Sequence, residues 1–134
     1  MLWIRVSNPK STKKLKALAL AIVDTGADDC LFPAETAIAL GHNLRSVPSK
    51  SITGINSSTK AYPHTSQVEI LETGANGLPT KKVLFTIKNA LIDFIKGSNN
   101  RQVPFLLGTK NFLSKFVLTI DYPKNRFSIR RPSK

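Results

Sequence analysis

The run Ala21-Ile22-Val23-Asp24-Thr25-Gly26-Ala27-Asp28-Asp29 constrains this chain more than any other stretch. An apolar, β-branched strand leads straight into a carboxylate, and a turn of small residues follows at once. Carrying a carboxylate into the end of a buried strand costs several kcal/mol unless the charge is paired or neutralised. Folds accept such a cost where the altered proton affinity serves chemistry. Thr25 fits that use, because its hydroxyl can bond backbone. Gly26 fits it too, because it permits a tight turn and close approach of main chain. A surface Asx-turn closing an ordinary hairpin would carry the same letters, so the run alone leaves both readings open.

A second element lies far downstream. Val103-Pro104-Phe105-Leu106-Leu107-Gly108 is an apolar run closed by glycine. A short helical pattern from Thr109 to Phe116 follows it, and then an apolar strand from Val117 to Asp121. Taken alone, this is a buried strand with a glycine leading into a helix. Together the two elements, in this order, resemble the retropepsin-like (retroviral-type) aspartic proteases, the half-sized members of the pepsin clan. In that family an apolar-apolar-Gly strand and one short helix pack beneath the aspartate turn, and Leu106, Leu107 and Gly108 match that strand.

A chain of 134 residues suits a single domain over 1–134, large enough for a core and too short for two. It holds one Asp-Thr-Gly and no internal repeat; Asp93 and Asp121 lack the Thr-Gly that follows Asp24. The resemblance implies an all-β fold, a closed β-barrel-like half-lobe with one or two short helices. It also implies a homodimer in which each copy supplies one Asp24 across a two-fold axis. Two carboxylates about 3 Å apart cannot both ionise, so they share a proton. One would then activate a water for attack on the peptide carbonyl while the other protonates the carbonyl oxygen. No metal or organic cofactor is required. By the same resemblance Asp24, Thr25 and Gly26 form the catalytic turn, with Thr25 bonding across the dimer to hold the carboxylates coplanar.

The resemblance also assigns substrate contacts. Gly26 and Ala27 let peptide backbone approach, and Asp28 and Asp29 match carboxylates that bind substrate main chain. Two adjacent acids could equally cap the turn. Retroviral members commonly follow the downstream glycine with an arginine that pairs with the acid matching Asp28; here that position is Thr109, so Asp28 needs another partner. Leu31, Ile52, Pro104 and Leu106 correspond to apolar subsite walls, or else to plain core. The hairpin tip around Thr53 to Ser58 sits where the family places its flap, with Gly54 as hinge and Ile55 as cover over bound peptide. An ordinary solvated hairpin is the alternative.

The remaining chain reads mostly as short strands with turn punctuation. Leu2 to Ser7 and Leu15 to Val23 are strands separated by the turn signal Asn8-Pro9-Lys10-Ser11. Leu31-Phe32-Pro33 is extended, and Ala34 to Leu40 is a short helix stopped by Gly41. Ser51 to Asn56 and Lys60 to Leu71 pair as a hairpin, Glu72 to Thr80 is a loop, and Val83 to Ile87 is a strand. Ala90 to Ile95 fits a helical turn or a buried strand, since periodicity does not separate short apolar runs. Phe127 to Arg130 forms a closing strand, placed at the dimer interface by the resemblance.

Twenty basic residues against eight acidic ones give a net charge of +12, concentrated in Lys10 to Lys16, at Lys81-Lys82 and in Lys124 to Arg131. Such a field attracts acidic peptides or nucleic acid, or simply keeps a surface solvated. No nucleic-acid-binding motif accompanies it, which leaves nucleic acid as a weak secondary partner. His42, His64 and the single Cys30 are too dispersed for a metal cluster, and Cys30 reads as a small buried thiol. One cysteine suits a reducing compartment. Leu15 to Val23 is too short to span a membrane and no signal segment is visible, so a cytoplasmic protein without membrane attachment is expected. Three functions remain: an aspartic endopeptidase acting on peptide or protein substrate, a catalytically silent binding module of the same fold, and a basic nucleic-acid-binding β-domain.

Overall fold

Small residues point into the barrel along β2 (Lys16–Val23) and large ones point out. Ala19 and Ala21 are buried while Leu18, Leu20 and Ile22 are exposed. The alternation is the period of two that a strand imposes. It is inverted from the usual bulk, because Phe32 and Phe94 already fill the interior and meet edge to face at 6.1 Å. The computed structural model describes residues 1–12, 15–53, 58–97, 103–110 and 112–133. The proposed flap tip, with Gly54 and Ile55, lies outside the described residues.

Six strands close into a barrel. β1 (Leu2–Ser7) pairs antiparallel with β2, which runs parallel to the two-residue β7 (Leu106–Leu107). β7 pairs with β3 (Cys30–Pro33), and β3 runs parallel to β6 (Pro79–Ile95). β6 pairs with β5 (Ser58–Thr73), and β5 returns to β1 to complete the ring. β4 (Lys50–Thr53) is added on the outside of β5. β8 (Val117–Asp121) and β9 (Arg126–Arg130) form a separate two-stranded sheet. The all-β closed architecture expected from the sequence is what forms. Among the described residues no helix is long and apolar enough to cross a membrane.

The single α-helix among the described residues, α1 (Ala34–Ala39), ends as the sequence signals. Gly41 sits at φ +83°, the left-handed region that glycine enters without steric cost. The His42 N–H then donates to Ala37 O at 3.0 Å and the Gly41 N–H to Ile38 O at 3.1 Å, the paired bonds of a Schellman stop.

Three sequence expectations change. Ala90 to Ile95 is not helical: it is the end of β6, which continues unbroken from Pro79 and absorbs the strand expected at Val83 to Ile87. Its two helix-compatible apolar turns are held extended by pairing with β3 on one side and β5 on the other. The loop expected over Glu72 to Thr80 shrinks, because Thr73 pairs with Pro79 and only residues 74–78 turn. The helical pattern from Thr109 to Phe116 yields one 3-10 turn over Leu113–Lys115, where the chain must drop Phe112 and Leu113 into the core.

Candidate active site

Asp24 stands at the open end of β2, half-buried, as the first residue beyond the strand. Its N–H still bonds the neighbouring strand, donating to Leu107 O at 3.0 Å, and so fixes the point where the chain turns. The turn folds back on the carboxylate. The Gly26 N–H donates to Asp24 Oδ1 at 3.0 Å, and the Ala27 N–H donates to Asp24 O at 3.2 Å. A charged oxygen receiving a backbone N–H is one of the stronger hydrogen bonds a site can hold.

The segment after β7 buttresses the turn from below. The Thr109 N–H donates to Ala27 O at 2.8 Å and the Lys110 N–H to Asp28 O at 2.7 Å. The Thr109 hydroxyl donates to Thr25 O at 3.2 Å. Thr109 therefore ties the turn by hydrogen bonds from both its backbone and its side chain. Gly108 makes this possible: a Cβ there would strike the Asp29 carbonyl oxygen, lie 2.6 Å from the Asp29 carbonyl carbon and 3.0 Å from Ala27 O. The two segments touch backbone to backbone. Asp28 is exposed and has no ion pair among the described residues.

Beside the turn runs a row of register partners. Ile22, Leu106, Leu31, Asp93 and Pro63 stand side by side on β2, β7, β3, β6 and β5. On β4, Lys50 and Ile52 share a face by the two-residue period, and Lys50 is the partner of Ala61, two residues from Pro63. Leu31, Ile52 and Leu106 are half-buried, and Pro104 is exposed. The structure thus brings together Asp24, Thr25, Gly26, Ala27, Asp28, Asp29, Leu31 and Leu106 around one end of the barrel.

Sequence reading missed two residues of this neighbourhood, Lys50 and Asp93. Lys50 Nζ lies 2.8 Å from Asp93 Oδ2 and 3.4 Å from Asp29 Oδ2. The Asp93 side chain is only 2% exposed. Burial pushes its carboxyl above the usual range; Lys50 opposes that shift and Asp29 adds to it. The same hydrogen-bonding carboxyl of Asp93 holds the Lys50 ammonium above its ordinary range. Cys30, next to Asp29, is buried, and burial raises its thiol to about 11, which leaves it uncharged and unreactive near neutrality.

Thr25 is exposed and borders a groove of about 210 Å³ between the turn and the β8–β9 hairpin. Val23, Leu118, Ile120, Tyr122 and Phe127 line it. Ile120 and Tyr122 are 46% and 82% exposed, a large apolar surface for an isolated chain.

No family profile matches the sequence, and no curated protein does. Among solved structures the chain is similar to a retropepsin-like aspartic protease from Rickettsia conorii, at a TM-score of 0.56 and 23% identity. The match covers 96% of this chain and 88% of that one. At this identity the likeness establishes the fold: the barrel is retropepsin-like.

Proposed function

We propose that this chain is an aspartic endopeptidase that works as a homodimer, with one Asp24 from each copy. The observation that carries the reading is the Asp24-Thr25-Gly26 turn itself. It is half-exposed at the barrel end, receives the Gly26 N–H on its carboxylate, and is braced by Gly108 and Thr109. That bracing holds a carboxylate still against its own solvation, which is the preorganisation an acid–base group needs.

One turn supplies one carboxylate, so the chemistry requires a second copy. The apolar groove beside Thr25 and the exposed Ile120 and Tyr122 support a partner seated there. In the dimer the two Asp24 carboxyls share one proton; the ionised one draws a proton from water, which attacks the peptide carbonyl. The protonated one hydrogen-bonds the carbonyl oxygen and stabilises the tetrahedral intermediate. A proton then reaches the amine as the C–N bond breaks. The apparent pKa values belong to the pair. Ile22, Leu31, Ile52 and Leu106 flank the cut as apolar walls, and Ala27 and Asp28 border the peptide backbone. The lone buried thiol fits a cytoplasmic setting.

The test is cleavage of a mixed peptide library from acidic to neutral pH by wild type and by Asp24→Asn, with sedimentation of both. Cutting by the wild type alone is expected. Equal cutting by Asp24→Asn would place the chemistry elsewhere.

A further inference from the structure

Away from the Asp24 turn, two imidazoles and a lysine gather at a second opening. A cavity of about 400 Å³ lies between the turn after β1, the end of α1 and the middle of β5, a volume in the range of small-molecule sites. Lys10, His42 and His64 line it together with Asn43 and Thr65, and no carboxylate does so among the described residues. No residue of the Asp24 turn borders it, so the cavity is independent of the peptidase reading.

Both rings are anchored through one nitrogen. Their centroids lie 4.9 Å apart. His64 Nε2 is 3.0 Å from Leu44 O, and because a carbonyl only accepts, that nitrogen carries the proton. Nδ1 of neutral His64 is therefore an acceptor. His42 Nε2 bonds the buried Ser66 Oγ at 2.9 Å. Among the described residues neither Nδ1 has a hydrogen-bond partner, and Lys10 makes no ion pair.

Basic groups crowded without an acid repel one another. Burial first, then His64 and Lys10, push His42 down to about 4. The other side chains against its ring, Phe94 of β6 and Ser66 of β5, carry no charge. A titratable group perturbed in this way and set in a cleft marks a candidate ligand site. The missing partner is an anion, and the unused nitrogens narrow its kind. An ionised carboxylate offers no proton to a neutral imidazole. A phosphoryl group does, because its second ionisation lies at about 6: near that pH one oxygen still carries hydrogen while the others accept from Lys10.

We propose that the cavity binds a small phosphorylated molecule, its phosphoryl group held between Lys10 and the His42 and His64 rings. Asn43 and Thr65 set neutral polar groups beside it, and the volume leaves room for an organic part beyond the phosphoryl group.

Glycerol 3-phosphate, inorganic phosphate and glycerol are each titrated into the full chain at pH 6, with the imidazole resonances of His42 and His64 as the readout. Saturable shifts of both rings are expected with the two phosphates and none with glycerol. Since the anion favours the protonated ring, the titration midpoint of His42 should move up from about 4 when the site is filled. Lys10→Gln should weaken binding about tenfold or more, whereas Lys81→Gln, which removes the same charge from an exposed position on β6, should leave it unchanged. Shifts that never saturate, or equal weakening by Lys10→Gln and Lys81→Gln, would reduce the effect to the general attraction of a chain with net charge +12 and overturn the site. Saturation by inorganic phosphate but not by glycerol 3-phosphate would overturn the organic ligand.

Discussion

Acidification should destabilise this fold through His42, and the geometry sets the size of the effect. The ring lies half-buried between His64 and Phe94, with centroids 4.9 Å and 5.6 Å away, and its Nε2 is 2.9 Å from the buried Ser66 Oγ. Burial, followed by the nearby His64 and Lys10, lowers its proton affinity from 6.5 to about 4. The folded state therefore resists the proton that the unfolded chain accepts. Stability is complete above pH 6.5, declines as pH falls toward 4, and is fully reduced below that. At about 1.4 kcal/mol per pH unit the ceiling is roughly 3 kcal/mol, and partial solvent access brings the expectation to about 1–3 kcal/mol. Urea unfolding of wild type and His42→Gln at half-unit steps from pH 7 to 4 measures it. The wild-type stability should fall more steeply than the variant's by that amount. Glu69, held below its usual range by Arg5, loses its contribution only below about pH 4.5; Asp93, raised by burial, gains as pH falls. Both act equally in the two proteins and cancel in the difference. Parallel curves between pH 6.5 and 4.5 would refute the burial account of His42.

Gly108→Ala should cost about 1–3 kcal/mol or more, since the new methyl meets main chain that cannot rotate away, and the Asp24 turn should shift with it. Thermal unfolding together with amide chemical shifts of Gly26 and Ala27 would check both; a variant of unchanged stability would mean that the two segments are not in backbone contact. Tyr122→Asp places a charge on the exposed apolar rim beside Thr25 and should shift sedimentation of the proposed dimer toward monomer. If the two proteins sediment alike at low micromolar concentration, the partner does not sit on the β8–β9 hairpin.

Much of the barrel is legible along the chain because its determinants are local. The ending of α1 at Gly41 follows from one residue's backbone freedom, and Leu2–Ser7 follows from alternation. The Asp24 turn is legible for the same reason: strand, carboxylate and small residues are consecutive. What could not be read is decided by partners distant in sequence. Ala90 to Ile95 carries no signal separating helix from strand, and becomes a strand because β3 and β5 occupy both its edges. Asp93 comes near the Asp24 turn only through a row whose members sit at positions 22, 106, 31, 93 and 63. Lys50 joins it from a strand added outside the ring. A lysine at the start of an edge strand is ordinary; only the topology brings Asp29 and the buried Asp93 within 3.4 and 2.8 Å of it. The turn is thus written along one stretch of chain, and the cluster around Lys50 across several.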